Sequence, residues 1–223
     1  MHIVKKKNIY EFSNNWPNNS AQKIIQKISI ILKKKKKINF FLTGGKTAAT
    51  LYPSLQKNLL PYKKYLKFYL TDERFVNKKS TLLNSNLINT KFVKNYFDKK
   101  NFYFDLFKDC NRTSIQNKIK KYNQKFNSID IVLLSLGYDG HFASIFENYY
   151  SRNDKKKFFF FKKKNENFQR ISLTINSILK AKYLFVLVKG KKRVKLLNYI
   201  KNKKKNSYPA KIIYKKAVWL IKK

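Results

Sequence analysis

The sequence predicts an α/β protein: a single domain over residues 1–223, built on a mainly parallel, Rossmann-like sheet with helices on both faces. Three observations indicate this fold class. Short apolar runs, typical of strands buried on both faces, alternate with stretches of helical spacing. The chain has 223 residues, of which 43% are hydrophobic, enough for one sizeable core. No Pro/Gly/Ser-rich linker and no internal repeat divides it.

Strands are predicted where apolar residues follow one another without alternation, as in a parallel sheet that is covered on both sides. In chain order these runs are Ile38–Leu42 (INFFL), Leu66–Leu70 (LKFYL), Ile129–Leu136 (IDIVLLSL), Tyr183–Val188 (YLFVLV) and Ala217–Ile221 (AVWLI). The run that begins at Ile129 is the clearest buried strand.

Helices are predicted before the first of these runs and between the later ones. The first has apolar residues at helical spacing in SAQKIIQKISIIL, and the next follows a Gly-Gly turn. In chain order the predicted helices are Ser20–Leu32, Thr47–Leu60, Ser85–Phe92, Ser114–Phe126 and Lys191–Ile200, with a turn or short helix at Leu173–Leu179. In such a protein, ligands bind at the carboxyl ends of the strands.

The formal net charge of +41 comes almost entirely from lysine. Lys, Asn, Ile, Phe and Tyr share AT-rich codons, so a base-composition bias explains the charge without selection for binding. Arginine, the preferred residue for bidentate base and phosphate contacts, is scarce. We therefore expect no specific nucleic-acid partner, and only weak, salt-sensitive RNA binding as a side effect.

The composition also bears on location and cofactors. No apolar run reaches the about 18 residues that a membrane span requires, and the start MHIVKKKNIYEF lacks the apolar segment of a secretory signal. The single cysteine, Cys110, allows no internal disulfide. We expect a cytoplasmic protein, a monomer or small homo-oligomer. One internal histidine and few acids do not assemble a metal-ligand set, so no metal is expected.

A glycine-rich turn follows the first predicted strand. Thr43, Gly44, Gly45, Lys46 and Thr47 stand between that strand and the next helix. Glycine lets a backbone approach a ligand closely, and a helix N-terminus offers free N–H groups to an anion. The turn suits a phosphate, although it matches neither a Walker A loop nor a GxGxxG fingerprint. A purely structural strand-to-helix connection is the alternative.

Asp139, Gly140 and His141 follow the clearest strand, and His141 is the only histidine besides His2. An imidazole titrates near neutral pH and can take a proton from water, and a nearby carboxylate can orient the ring. A histidine in an apolar setting is commonly a core residue, but the adjacent acid and glycine favour a catalytic role here.

Three further clusters place rare charges near strand ends. The first cluster follows the second strand and consists of Asp72, Glu73 and Arg74. The other two are the segments 170–174, which begins with Arg170, and 189–193, which ends with Arg193. Arginines are scarce here, so these are better candidates than the lysines for bidentate phosphate binding. Surface charge or a local ion pair is the alternative for each cluster.

Taken together, these motifs resemble the 6-phosphogluconolactonase family, within the wider group of glucosamine-6-phosphate isomerase/deaminase-like proteins. The family's Gly-Gly phosphate loop, Asp-Glu-Arg segment, Gly-x-Asp-Gly-His signature, Arg-Ile-Ser-Leu-Thr segment and closing Pro-Ala and Trp have counterparts in the same order. The counterparts are Phe41–Leu55, Thr71–Arg74 with Ser85–Asn86, Leu136–Phe146, Arg170–Thr174 and Tyr208–Ala210 with Trp219. The resemblance covers most of the chain.

This resemblance implies hydrolysis of 6-phospho-D-glucono-1,5-lactone to 6-phosphogluconate, in the oxidative pentose phosphate pathway, with no metal or organic cofactor. His141 would be the general base that activates water, and Asp139 would support it. Arg74 and Asp72 would position the lactone or stabilise developing charge. The residues that would hold the phosphate are Thr43, Gly44, Gly45, Thr47, Arg170 and Arg193.

Two alternatives stay open: an isomerase or deaminase acting on another sugar phosphate, such as glucosamine 6-phosphate, and a non-catalytic relative that binds a sugar phosphate or RNA. The deaminase signature continues after the histidine with a glutamate at the position that Phe146 occupies here, and Arg74 stands where deaminases tend to have tyrosine. Lys46 and Ala48 depart from the lactonase pattern, which has a small hydroxyl residue and a proline there. Both departures bear on affinity and rate more than on reaction class.

Overall fold

The computed structural model of the chain describes residues 3–6, 8–94, 96–103, 117, 119–122, 124–150, 155–202 and 208–223. Its strands are β1 (Ile3–Lys6), β2 (Ile9–Phe12), β3 (Ile38–Leu42), β4 (Leu66–Leu70), β5 (Asp72–Arg74), β6 (Ile131–Ser135), β7 (Phe158–Lys162), β8 (Gln169–Leu173), β9 (Tyr183–Lys189) and β10 (Val218–Lys222). Its α-helices include α1 (Trp16–Leu32), α2 (Lys46–Leu59), α3 (Asn84–Ile88), α4 (Ile175–Leu179), α5 (Lys191–Asn202) and α6 (Pro209–Ile213).

Seven strands form the main sheet, in the order β1-β2-β10-β9-β6-β3-β4. Neighbouring strands are parallel except for the pair β1 and β2. The predicted mainly parallel sheet is therefore confirmed. From β3 the chain adds β4 on one side and β6 and then β9 on the other, so the strand order reverses between β3 and β6. In an open α/β sheet, such a reversal leaves a ligand crevice at the carboxyl ends of the strands.

A second sheet of three antiparallel strands, β5-β8-β7, was not predicted from the sequence. Its first strand begins two residues after β4 ends, so it starts at the carboxyl edge of the main sheet. In its register Asp72 lies opposite Ser172, and Arg74 lies opposite Arg170. This small sheet therefore holds the Asp-Glu-Arg segment at the edge where ligands bind.

The strands β3 and β4 have the predicted bounds. Helix α1 begins at Trp16, four residues before the predicted start, because Pro17 lies in its first turn, where the missing N–H costs nothing. The predicted helix Ser85–Phe92 is a short α-helix, α3, followed by a π-helical segment, Asn89–Val93. Of the predicted helix Ser114–Phe126, residues 117 and 119–122 are helical, and residues 114–116 lie outside the described residues.

One cluster of buried apolar side chains runs through the sheet and its helices, from Phe12 to Ile221. Helix α1 buries one face, on which Ile24, Ile28 and Ile31 are spaced three or four residues apart. Its first residue is tied to β10, since Trp16 Nε1 donates to the Leu220 carbonyl at 3.1 Å. Within the part of the chain that the structure describes, no helix is long and apolar enough to cross a membrane. Cys110 and His2 lie outside the described residues.

Candidate active site

A cavity opens at the carboxyl ends of β3, β6 and β9, beside β5. Its volume of about 160 Å³ is several times the roughly 30 Å³ share of one water molecule in the liquid, so it can admit a small molecule. The predicted site residues that line it are Thr43, Gly44, Gly45, Thr47, Asp72, Arg74, His141 and Arg193. Further lining residues include Lys46, Asn84, Ser135, Gly137 and Tyr138. The cavity thus collects residues from four separate predicted clusters.

The histidine lies in a tight turn after β6. The Gly137 N–H donates to the His141 carbonyl at 2.8 Å, and the His141 N–H donates to Asp139 Oδ1 at 3.2 Å. His141 Nδ1 is hydrogen-bonded to the same Asp139 oxygen, and the imidazole packs against the Phe146 ring, with 4.4 Å between centroids. Because Asp139 accepts at Nδ1, Nε2 is left with the lone pair that can take a proton.

Gly137 makes this placement possible, since a Cβ there would overlap the His141 ring. We expect Gly137→Ala to displace the imidazole and to lower kcat about tenfold, because small misplacements of a catalytic group are costly. The ring is partly exposed and can move, so the free energy of unfolding should change by less than about 1 kcal/mol. Steady-state kinetics and urea unfolding measure the two effects. A variant with wild-type kcat would show that the position of the ring does not matter.

The Asp139 carboxyl is charged over the whole physiological range. Burial alone would raise its pKa, but the hydrogen bond and the charge of His141 lower the pKa to about 2. The folded-state pKa of this carboxyl lies below its unfolded-state pKa of about 3.9, so the charged carboxylate stabilises the folded state at pH values above about 3.9. This stabilisation is lost as the pH falls toward the folded-state pKa.

We expect Asp139→Asn to be destabilised relative to wild type near pH 5, and the difference in unfolding free energy to shrink as the pH falls toward about 3. Urea unfolding at both pH values tests this; a difference that grows on acidification would contradict it.

Asp72 is nearly fully buried at the cavity wall. It accepts hydrogen bonds from Thr71 Oγ1 at 3.1 Å and from Ser144 Oγ at 2.7 Å. Its own carbonyl accepts from Asn84 Nδ2 at 2.9 Å, and the Asn84 side chain fills the space beside Gly44, where a Cβ would overlap it. Gly44, which was predicted to let the backbone approach a ligand, therefore also leaves room for the Asn84 side chain. Asn84 was missed from the sequence, although the neighbouring Ser-Asn pair pointed to its segment.

Glu73 does not line the cavity, but it holds the segment that does. It is fully buried, and it accepts backbone N–H bonds, each 2.8 Å long, from Arg74, Asn84 and Ser85. Burial raises the pKa of its carboxyl, whereas the bonds from Ser85, Arg74 and Asn84 lower it. This carboxylate joins β5 to the first turn of α3, and so fixes the backbone of two lining residues.

Two arginines present guanidinium groups to the cavity. Arg74 Nη1 donates to the Leu82 carbonyl at 2.6 Å, and Arg193 Nη1 donates to the Lys189 carbonyl at 3.0 Å. In both side chains Nε is buried and has no hydrogen-bond partner among the residues that the structure describes. Each arginine is therefore anchored through one nitrogen and has further N–H groups to offer an anion.

Arg170 is paired with an acid behind the wall of the cavity. Its Nε and Nη2 atoms donate to the two Glu166 oxygens at 2.6 and 2.7 Å, and its Nη1 donates to Ser144 Oγ at 3.3 Å. It does not line the cavity, and neither does Asp139. Since Ser144 in turn donates to Asp72, Arg170 supports the wall of the cavity through one intervening hydroxyl. Because Arg170 lies in the strand β8, its spacing of four residues from Glu166 is not a helical pair and does not predict this contact from the sequence.

A larger cavity, about 820 Å³, lies at the opposite edge of the sheet, around the amino-terminal ends of β6 and β9. Its one lining acid, Asp130, is bound to Lys35 at 2.7 Å. Its lining lysines are Lys155, Lys156, Lys157, Lys180 and Lys182. It brings together neither a histidine nor an arginine from the described residues, so the smaller cavity is the better candidate site. Among the described residues, no group of three or more His, Cys, Asp or Glu could hold a metal ion.

The fold and site can be compared with solved structures. The crystal structure of 6-phosphogluconolactonase from Thermotoga maritima superposes with a TM-score of 0.83 at 25% identity, over 96% of this chain and 99% of that one. A 6-phosphogluconolactonase structure from Trypanosoma brucei has a TM-score of 0.80 at 20% identity, which shows a shared fold.

Sequence relatives agree with the structures. The curated 6-phosphogluconolactonase of Thermotoga maritima is 27% identical over 227 aligned residues, 99% of this chain and 100% of the relative. That of Borreliella burgdorferi is 26% identical over 77% of each chain. The profile of the family described as "Glucosamine-6-phosphate isomerases/6-phosphogluconolactonase" matches residues 14–221. Because that match spans nearly the whole sequence, the chain belongs to this family.

Proposed function

We propose that this protein hydrolyses 6-phospho-D-glucono-1,5-lactone to 6-phospho-D-gluconate, as a 6-phosphogluconolactonase of the oxidative pentose phosphate pathway. The observation that carries the proposal is that His141, which is paired with Asp139, lines a cavity that two arginines and a Gly-Gly turn at a helix start also line. His141 offers a base for water, and the arginines and the N–H groups at the helix start offer partners for a phosphate. The names of the relatives support the same reaction.

In the proposed reaction, a water molecule gives a proton to His141 Nε2 and its oxygen attacks the lactone carbonyl carbon. Asp139 stabilises the imidazolium that forms and holds the ring in the required tautomer. The tetrahedral intermediate collapses by breaking the bond between the carbonyl carbon and the ring oxygen. The imidazolium returns its proton to that oxygen, which becomes a hydroxyl, and the product is the open-chain acid. Arg74, at the cavity wall, is placed to stabilise negative charge on the carbonyl oxygen.

The phosphate is assigned to the Gly-Gly turn and the cationic side chains near it. Gly44, Gly45 and Thr47 lie where β3 meets the start of α2, and helix N-termini attract anions. Arg193 and Lys46 add positive charge. Binding the phosphate there would hold the lactone carbonyl near the activated water, so that binding energy is used for orientation.

A deaminase or isomerase reaction is less well supported. Where the deaminase signature places a glutamate, this chain has Phe146, which is 7% exposed and packs against His141. An apolar ring cannot perform the proton transfers of a glutamate. The proposed lactonase reaction needs only one base, His141.

The proposal is tested by comparing two substrates with the same purified protein. Lactone generated by glucose-6-phosphate dehydrogenase is followed through excess 6-phosphogluconate dehydrogenase, and ammonium release is followed from glucosamine 6-phosphate. We expect turnover of the lactone above its uncatalysed rate and no ammonium release. Ammonium release without lactone turnover would replace the proposal with the deaminase alternative.

A further inference from the structure

Tyr138 is an exposed aromatic residue in the turn that carries His141. Its side chain is 66% exposed, the highest value among the exposed large apolar side chains of the described residues. A ring so exposed contributes little to the core, and yet it lines the cavity. The positively charged side chain of Arg193 lies against it, with its guanidinium carbon 3.8 Å from the centre of the ring. This distance is well inside the about 6 Å limit for a cation–π contact.

Arg193 is held at two points. Its Nη1 donates to the Lys189 carbonyl at the end of β9, and its guanidinium face rests on the Tyr138 ring. Its Nε is buried without a hydrogen-bond partner among the described residues. The ring covers a face of the guanidinium, whereas hydrogen bonds are made at its edge. Tyr138 therefore restricts the orientation of Arg193 without using the N–H groups that a phosphate would take.

The contact also joins two parts of the site. Tyr138 stands between Gly137 and Asp139, in the turn that is closed by the bond from the Gly137 N–H to the His141 carbonyl. Arg193 stands in the first turn of α5. We propose that Tyr138 is a positioning residue that orients Arg193 for the phosphate of the substrate. This inference rests on the proposed function for the identity of the substrate.

The test uses Tyr138→Ala, Tyr138→Phe and, as a matched control, Tyr96→Ala, which truncates an exposed tyrosine that does not line the cavity. We expect Tyr138→Ala to raise KM for the phosphorylated lactone about fivefold with kcat within twofold of wild type, the size of a partly exposed cation–π contact. Tyr138→Phe keeps the aromatic ring that contacts Arg193, and its KM should equal that of the wild type. Tyr96→Ala should match wild type in both constants.

A double-variant comparison shows whether Tyr138 acts through Arg193. In an Arg193→Ala background, Tyr138→Ala should weaken binding of the substrate no further, because the partner of the ring is already gone. An equal loss in both backgrounds would overturn the proposal, as would a Tyr138→Phe variant as weak as Tyr138→Ala, since the hydroxyl and not the ring would then be responsible.

Calorimetric binding of 6-phosphogluconate separates this inference from the proposed function. If the wild type binds 6-phosphogluconate but does not hydrolyse the lactone, and the Tyr138 variants change binding as expected, the positioning role stands and the proposed function fails. If hydrolysis is normal and Tyr138→Ala binds and turns over like wild type, the positioning role fails and the proposed function stands. Absence of 6-phosphogluconate binding by the wild type would contradict the inference.

Discussion

His141→Ala should lower kcat for lactone hydrolysis by two or more orders of magnitude while KM changes little. The loss of a positioned general base removes about 10²- to 10⁴-fold of rate. His141 is the only described imidazole in the cavity, and its ring is fixed by Asp139 on one side and Phe146 on the other. KM should be kept because the substitution leaves unchanged the groups assigned to the phosphate, namely the Gly-Gly turn and Arg193. Steady-state kinetics, corrected for spontaneous hydrolysis, give both constants.

Asp139→Asn serves as the graded control for that result. It keeps an oxygen that can accept from His141 Nδ1 but removes the charge that stabilises the imidazolium, so it should lose less rate than His141→Ala. Both variants should unfold cooperatively and still bind 6-phosphogluconate. A His141→Ala variant that keeps more than about a tenth of wild-type kcat would show that another group activates the water.

Glu73→Ala should cost about 3 to 5 kcal/mol of unfolding free energy, a large share of the roughly 5 to 15 kcal/mol that holds a domain folded. The substitution leaves a buried void and three backbone N–H groups, those of Arg74, Asn84 and Ser85, without their acceptor. Each buried donor without a partner costs about 1 to 3 kcal/mol. Urea unfolding at constant pH measures the loss.

Glu73→Gln distinguishes lost hydrogen bonds from lost volume. Its amide fills nearly the same space and keeps one oxygen acceptor, but its NH₂ group faces a backbone N–H and cannot accept from it. We expect a smaller loss than for Glu73→Ala, about 1 to 3 kcal/mol. A Glu73→Gln variant as stable as wild type would mean that the backbone donors do not depend on the second oxygen. Since this carboxylate fixes Arg74 and Asn84, both variants should also turn over the lactone more slowly.

The strands that the sequence predicted well are those whose apolar residues are continuous and that are buried along their length. Ile38–Leu42 is buried at all its positions, and its bounds were predicted. The strand β7, Phe158–Lys162, was missed because it lies in a lysine-rich segment, with lysines on both sides of its four phenylalanines. Its partner β8 lies across a turn, and β5 comes from far earlier in the chain. Pairing over such distances leaves no local pattern in the sequence.

For the candidate site, the sequence predicted which segments meet but not which side chains contact each other. The Gly-Gly turn, the Asp-Glu-Arg segment and the Asp-Gly-His turn were predicted to meet because parallel strands end at one edge, and residues from each of them line the cavity. Side-chain partners could not be predicted, because they depend on the second sheet and on loops. Arg170 is the main example: its role in phosphate binding stays a prediction, whereas its geometry shows a bidentate pair with Glu166 behind the wall.

The most direct test of lactonase activity is the initial rate of 6-phosphogluconolactone hydrolysis at several concentrations of wild-type protein, measured against the uncatalysed rate. The lactone is made in situ and its product is read by excess 6-phosphogluconate dehydrogenase. We expect the rate to rise in proportion to the protein concentration. A rate equal to the background at every concentration, from protein that still binds 6-phosphogluconate, would show that the pocket is present without the chemistry and would contradict the proposed activity.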